Sequence, residues 1–130
     1  MTVLRHSGIV FAFNSSVWEK FKLGELVSFN DNQTGKPSLR NTVYQPEEGD
    51  MPLPPIQGIK DLQERGSMFC VCDLATRVYG SAIASKMNLN PDEVYAEMVK
   101  GIFPGIKIVP SGVMALGRAQ NEKCAYIFAG

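Results

Sequence analysis

The second half of the chain reads Ser67-Met-Phe-Cys-Val-Cys-Asp73, a helix-patterned segment, Ile106-Lys-Ile-Val-Pro-Ser-Gly112, a second helix-patterned segment, and Cys124-Ala-Tyr-Ile-Phe-Ala-Gly130. Short apolar runs that alternate with helical connections are the signature of βαβ units. The expectation is an α/β fold with a parallel sheet. Cys72 falls where the first of these strands ends and its helix begins. In open α/β sheets ligands gather at the carboxyl ends of the strands, so Cys72 is the first candidate for chemistry.

Working outward, Asn90-Pro-Asp-Glu93 is the clearest helix start: a capping residue, proline at the first helical position, then acids in the first turn. Val94, Met98 and Ile102 form its apolar stripe. Asp73 is expected to cap the helix after the first strand, and Ser111 the helix that begins after Pro110. Ahead of the core stretch, Ile56, Ile59 and Leu62 mark one face of a short helix ended by Gly66.

The N-terminal half is less regular. Thr2-Val-Leu-Arg-His6 reads as a strand stopped by Ser7-Gly8, and residues 9–13 are apolar without a decisive period. Ser16, with Glu19 three residues on, fits a capping box for a helix carrying Val17, Trp18 and Phe21, with Gly24 as its stop. Residues 26–30 and 38–44 flank a glycine-containing turn and suggest an inserted hairpin arm at about residues 26–44, with Arg40 and Asn41 exposed on it. Four prolines between Gln45 and Pro55 forbid regular structure there. Too little chain precedes that loop for a separate core, so residues 1–130 are expected to form a single domain.

Composition narrows the function classes. Thirteen basic and thirteen acidic residues cancel, and the basic ones form no stripe, so the footprint of a nucleic-acid binder is missing. No apolar run reaches the length of a membrane span, and no membrane insertion is expected. There is no glycine-rich phosphate fingerprint, P-loop or serine elbow, and no cofactor is implied. Three cysteines, an odd number, read more simply as free thiols than as a disulfide framework.

A thiol at a strand end facing a helix N-terminus has its thiolate favoured by the dipole, and such a thiolate can carry sulfur as a persulfide. Against this stand the frequent burial of cysteine and the like charge of Asp73 beside it. Cys70 shares the strand face of Cys72 and reads as core packing. Cys124 is expected to be packed at the start of the last strand. His6, the only histidine, sits at another strand end, where it serves either proton transfer near Cys72 or an ordinary hydrogen bond. His6, Cys72, Ser111 and Asp73 are expected to gather at a strand-end crevice over which Arg40 and Asn41 fold. The only conceivable tetrahedral metal set, His6, Cys70, Cys72 and Cys124, lacks zinc-site spacing, so no metal is expected.

With Val71-Cys72, Ile108-Val-Pro-Ser-Gly-Val113, Arg118-Ala-Gln120 and Cys124-Ala-Tyr-Ile127 in hand, the C-terminal half resembles the DsrE/DsrF-like family of small α/β proteins. Leu4-Arg-His6, Asn14 with Trp18, Lys22-Leu-Gly-Glu25 and Thr34-Gly-Lys-Pro37 with Arg40-Asn41 are similar to DsrE-like proteins that carry a twin-arginine (Tat) export signal. The resemblance implies a three-layer α/β/α sandwich with a mostly parallel sheet, assembly as a homo-oligomer, and sulfur relay through the cysteine at position 72 between donor and acceptor proteins. The competing class is a non-catalytic ligand-binding or assembly module. The family's additional N-terminal strand–helix unit and export leader do not precede Thr2 in this sequence. A true start at Met1 implies a cytoplasmic protein, and a fragment of a Tat-exported precursor implies a periplasmic one.

Overall fold

The structure, a computed structural model, describes residues 1–52 and 57–127. Its framework is a parallel sheet of three strands in the order β1-β2-β3, with β1 at Thr2–Leu4, β2 at Phe69–Cys72 and β3 at Ile106–Val109. The register sets Val3 beside Cys70, Leu4 beside Val71, Cys70 beside Lys107 and Cys72 beside Val109. Alternation along the strands then divides the side chains. Leu4, Phe69, Val71 and Ile106 share one face, and Val3, Cys70, Cys72, Lys107 and Val109 share the other. The result is a mixed α/β fold whose sheet is wholly parallel.

The first face carries the main core. A 3-10 helix at His6–Ala12, α1 at Ser15–Phe21, α2 at Leu23–Leu26, α4 at Asp73–Met87 and α5 at Pro91–Lys100 bring Ile9, Trp18, Leu23, Ile83 and Met98 against Phe69, Val71 and Ile106. Trp18 is fully buried and donates its indole N–H to the Val10 carbonyl at 2.9 Å, so its one polar atom costs nothing in the interior. The second face is covered by α6, Gly112–Asn121, whose start packs against Val3, Arg5 and Cys72. A short α3, Ile59–Glu64, precedes β2, and Gly66 follows it in the left-handed region at φ 93°, as a C-terminal stop requires. Asn90 caps α5 through the backbone N–H groups of Asp92 and Glu93, with Pro91 opening the helix, as its sequence predicts. Among the described residues no helix is long and apolar enough to cross a membrane.

Several local expectations are corrected. Asn14, not Ser16, caps α1, accepting the Val17 N–H at 3.1 Å. The Ser15 hydroxyl instead receives the backbone N–H of Asn41. Gly24 does not end α1. That helix closes at Lys22 in the left-handed region, and Gly24 lies inside α2, where a Cβ would meet the Ser38 carbonyl oxygen at 2.3 Å. The hairpin arm reduces to a single antiparallel bridge between Asn30 and Pro37. Two backbone bonds cross it, from the Ser38 N–H to the Phe29 carbonyl and from the Asp31 N–H to the Lys36 carbonyl, and side chains of Asp31 and Ser38 accept further loop N–H groups. Residues 124–127 form no strand: α6 runs out through Lys123 at φ 65°, Cys124 donates its N–H back to the Ala119 carbonyl, and the following residues find no sheet edge. Residues 128–130 of that expected strand lie outside the described residues, as do Ile56 and the prolines at 54 and 55.

Candidate functional site

Cys72 closes the central strand, and its side chain is also the cap of α4. Its Sγ accepts the Ala75 N–H at 3.5 Å and, from the other side, the Gly112 N–H of α6 at 3.3 Å. Two helix N-termini therefore point their free N–H groups at one sulfur atom. Sequence reasoning expected Asp73 to cap α4. The correction has a geometric cause, because β2 runs straight into α4 without an intervening loop, and the last strand residue falls at the capping position. Cys72 is only 6% exposed. Gly112 sits directly over it: a Cβ there would stand 3.0 Å from Val3 Cγ1, 3.3 Å from Arg5 Cβ and 3.4 Å from Cys72 Cβ. Glycine at this position lets the helix come down onto the sulfur.

Asp73 takes the first helical position. Burial acts to raise its carboxyl, but hydrogen bonds from the Tyr95 hydroxyl and the Arg77 guanidinium hold it below the usual carboxylate range. The same hydrogen bond from Tyr95 to Asp73 pushes the phenol upward. Arg77 also lies over the Tyr95 ring, 4.1 Å from its centroid, so the trio ties α4 to α5. The negative charge beside Cys72 is compensated by this network. Cys70, on the face beneath α6, is buried, and burial raises its thiol above the ordinary value against the opposing positive charges of Lys107 and the N-terminus.

The single crevice expected from the sequence is divided by α6. Ser111 caps α6 by accepting the Met114 N–H at 3.5 Å and lines a cavity of about 340 Å³ with Met1, Val109, Pro110, Met114 and Arg118. His6 lines a separate cavity of about 630 Å³ on the other flank of the helix. Cys72 borders neither, because Gly112 closes the space above it. His6 is exposed, with Nε2 3.4 Å from Arg5 Nη1, and has no hydrogen bond to Cys72. Cys124, expected to be packed, is exposed.

Arg40 and Asn41 are displaced furthest from expectation. Asn41 is buried, donating to the carbonyls of Phe11 and Phe13 and accepting the N–H groups of Val43 and Tyr44. Arg40 is half-buried. Its Nε meets Asp31 at 2.9 Å, and its two terminal nitrogens grip Asp50. Asn41 holds the loop against the end of the 3-10 helix, Arg40 ties the loop to itself through Asp31 and Asp50, and neither reaches Cys72. Arg40 beside Asp50 holds that carboxyl below its usual range. A serine, threonine or asparagine capping motif can be seen in a sequence, but a cysteine that caps its own helix and accepts from a second one carries no comparable signal. Among the described residues, no cluster of three or more His, Cys, Asp or Glu side chains is placed to hold a metal ion.

No protein-family model, curated protein or solved structure matches the chain. What the fold and site define is a parallel α/β protein with a thiol at the carboxyl end of its central strand, under the meeting point of two helix N-termini.

Proposed function

We propose that Cys72 is the sulfur-accepting nucleophile of a DsrE-like sulfur relay. The observation that carries this reading is the pair of backbone N–H groups, from Ala75 and Gly112, directed at Sγ. Both N–H groups are placed to hydrogen-bond a thiolate formed at that sulfur. In the step proposed, the Cys72 thiolate attacks the outer sulfur of an organic persulfide, a new S–S bond forms at Cys72, and the donor leaves as its thiolate. Reversal onto an acceptor thiol completes the relay. Access requires the Gly112 end of α6 to lift, since the sulfur is covered at rest. His6 takes no part in this reading, because its hydrogen bond is to Arg5.

Self-association belongs to the same proposal. It is supported by Leu74 and Val78 of α4 and Ile108 of the edge strand β3, all exposed. The competing class, a non-catalytic binding module, is favoured by the burial of Cys72 and by its service as a cap. Intact mass after incubation of the reduced protein with an organic persulfide separates the two, wild type beside Cys72→Ser. One added sulfur that disappears in the variant is expected. An adduct retained in Cys72→Ser, or none in either protein, refutes the relay through Cys72.

A further inference from the structure

The sheet ends on β1 and on β3, and the two ends are unlike. β3 carries the exposed Lys107 and is stopped by Pro110, and a charge and a proline both discourage the pairing of a further strand. β1 carries neither, since Thr2, Val3 and Leu4 are uncharged. Thr2 donates its N–H to the Met68 carbonyl, and the parallel register sets Thr2 beside Phe69 and Leu4 beside Val71. Alternation along the strand turns the peptide groups of Thr2 and Leu4 toward β2, and the N–H and C=O of Val3 away from it. Among the described residues neither group of Val3 has a partner. The larger cavity, about 630 Å³, runs along this edge. Val3 and Leu4 both line it although they belong to opposite faces of the sheet, so it opens beside the strand rather than above or below it. Phe11 of the 3-10 helix bounds it on the Leu4 side, Leu116 of α6 bounds it on the Val3 side, and residues 124–127 complete its wall.

We infer that this cavity is a docking slot for an extended apolar peptide, a segment of a partner protein that adds to β1 as a fourth strand. The match is one of partial charge: the N–H and C=O of Val3, side by side on one residue, call for the C=O and N–H of another backbone. Side chains directed to the two faces of the added strand meet Leu4 and Phe11 on one side and Val3 and Leu116 on the other. β1 is three residues long, so the paired length is short, about 10 Å. The cavity volume is in the range of small-ligand sites, which suits so short a segment. Recognition of this kind needs no charge on the wall. The slot is separate from Cys72 and does not depend on the sulfur relay, so either can fail without the other.

The test uses the pentapeptide acetyl-Ser-Val-Tyr-Val-Ser-amide and two modified forms, one N-methylated at the tyrosine and one at both valines. A peptide held on a single edge turns one alternating set of its N–H groups to β1 and the other set away, so only one of the two forms loses a bond to the edge. Binding to the full chain is followed by titration of backbone amide resonances. The parent peptide is expected to bind at millimolar concentration, with shifts centred on Val3, Leu4, Leu116 and Tyr126. One methylated form is expected to bind about tenfold more weakly, the effect of leaving the Val3 carbonyl without its donor, and the other to bind as the parent does. Val3→Pro deletes the edge N–H and leaves the bonds to β2, which belong to Thr2 and Leu4, and is expected to weaken the parent peptide about tenfold. Should that variant not fold, the methylated forms and the shift map decide alone. Equal affinities for all three peptides, equal weakening of both methylated forms, unaltered binding to folded Val3→Pro, shifts confined to another surface, or no binding at millimolar peptide overturns the inference. A Val3 resonance that shifts when the chain alone is diluted shows a second copy in the slot, and overturns it as well.

Discussion

Replacing Arg40 by leucine removes the one guanidinium that, among the described residues, reaches Asp31 and Asp50, and the structure sets the size of the effect. Asp50 has a fully buried side chain, and Asp31 is nearly as enclosed. Two of the hydrogen bonds on Asp50 come from Arg40, while the Glu47 backbone N–H and the Gln33 side-chain amide supply two more. Taking away one member of a buried ion pair costs about 3–5 kcal/mol. Arg40 is itself 33% exposed, so solvent screening and the two remaining donors place the expected loss near the lower end, about 3 kcal/mol. The Arg40 hydrogen bonds are the leading cause of the depressed Asp50 carboxyl. A carboxyl depressed on folding contributes stability above its unfolded pKa, about 3.9, and that contribution is lost as pH falls through the lower folded value. The gap between wild type and Arg40→Leu should therefore be full at pH 7 and narrow below about pH 4. Urea unfolding followed by the fluorescence of Trp18, the single and fully buried tryptophan, measures both ends. A gap under about 1 kcal/mol at pH 7, the range of an ordinary surface pair, would refute the reasoning, as would a gap that does not change with acid. Alkylation of Cys72 in the folded variant should proceed at the wild-type rate, because the cluster holds the loop and does not touch the thiol.

Asn41→Ala leaves the carbonyls of Phe11 and Phe13 without their side-chain donor, and a loss of about 2–4 kcal/mol is expected in the same urea assay, against a few tenths for an exposed asparagine. Gly112→Ala adds a methyl group between Val3 and Cys72 and pushes the first turn of α6 off the sheet. Alkylation of Cys72 should then run about tenfold faster at urea concentrations too low to unfold the domain, the mark of a local opening. A rate that rises only in parallel with global unfolding would show that α6 does not gate the thiol.

Much of the framework was legible because its causes are local. The start of α5 rests on Asn90 and Pro91, which act within one turn. β2 and β3 are short apolar runs ended by a helix start and by Pro110, and their parallel pairing follows from the helices between them. Ser111 caps α6 as its position predicts. The misplaced elements are those whose partners lie far away in the chain. Residues 124–127 have the composition of a strand, yet a strand exists only where a neighbour supplies its hydrogen bonds, and the sheet ends without them. Arg40 and Asn41 look like surface residues of an arm until the loop folds back and gives them buried carboxylates and carbonyls to satisfy.

The candidate site divides along the same line. Sequence alone placed Cys72 at the end of a buried parallel strand facing a helix start, because apolar periodicity and strand-to-helix order are written in consecutive residues. Only the tertiary structure decided that a second helix, beginning 40 positions later, aims its own N–H at the same sulfur. It also decided that this helix covers the thiol and parts His6 from Ser111. Those outcomes depend on how closely α6 can approach the sheet, which is set by the absence of a side chain at Gly112 and by the side chains of Val3 and Arg5 opposite. That is a distance between segments remote in sequence, and no local pattern encodes it.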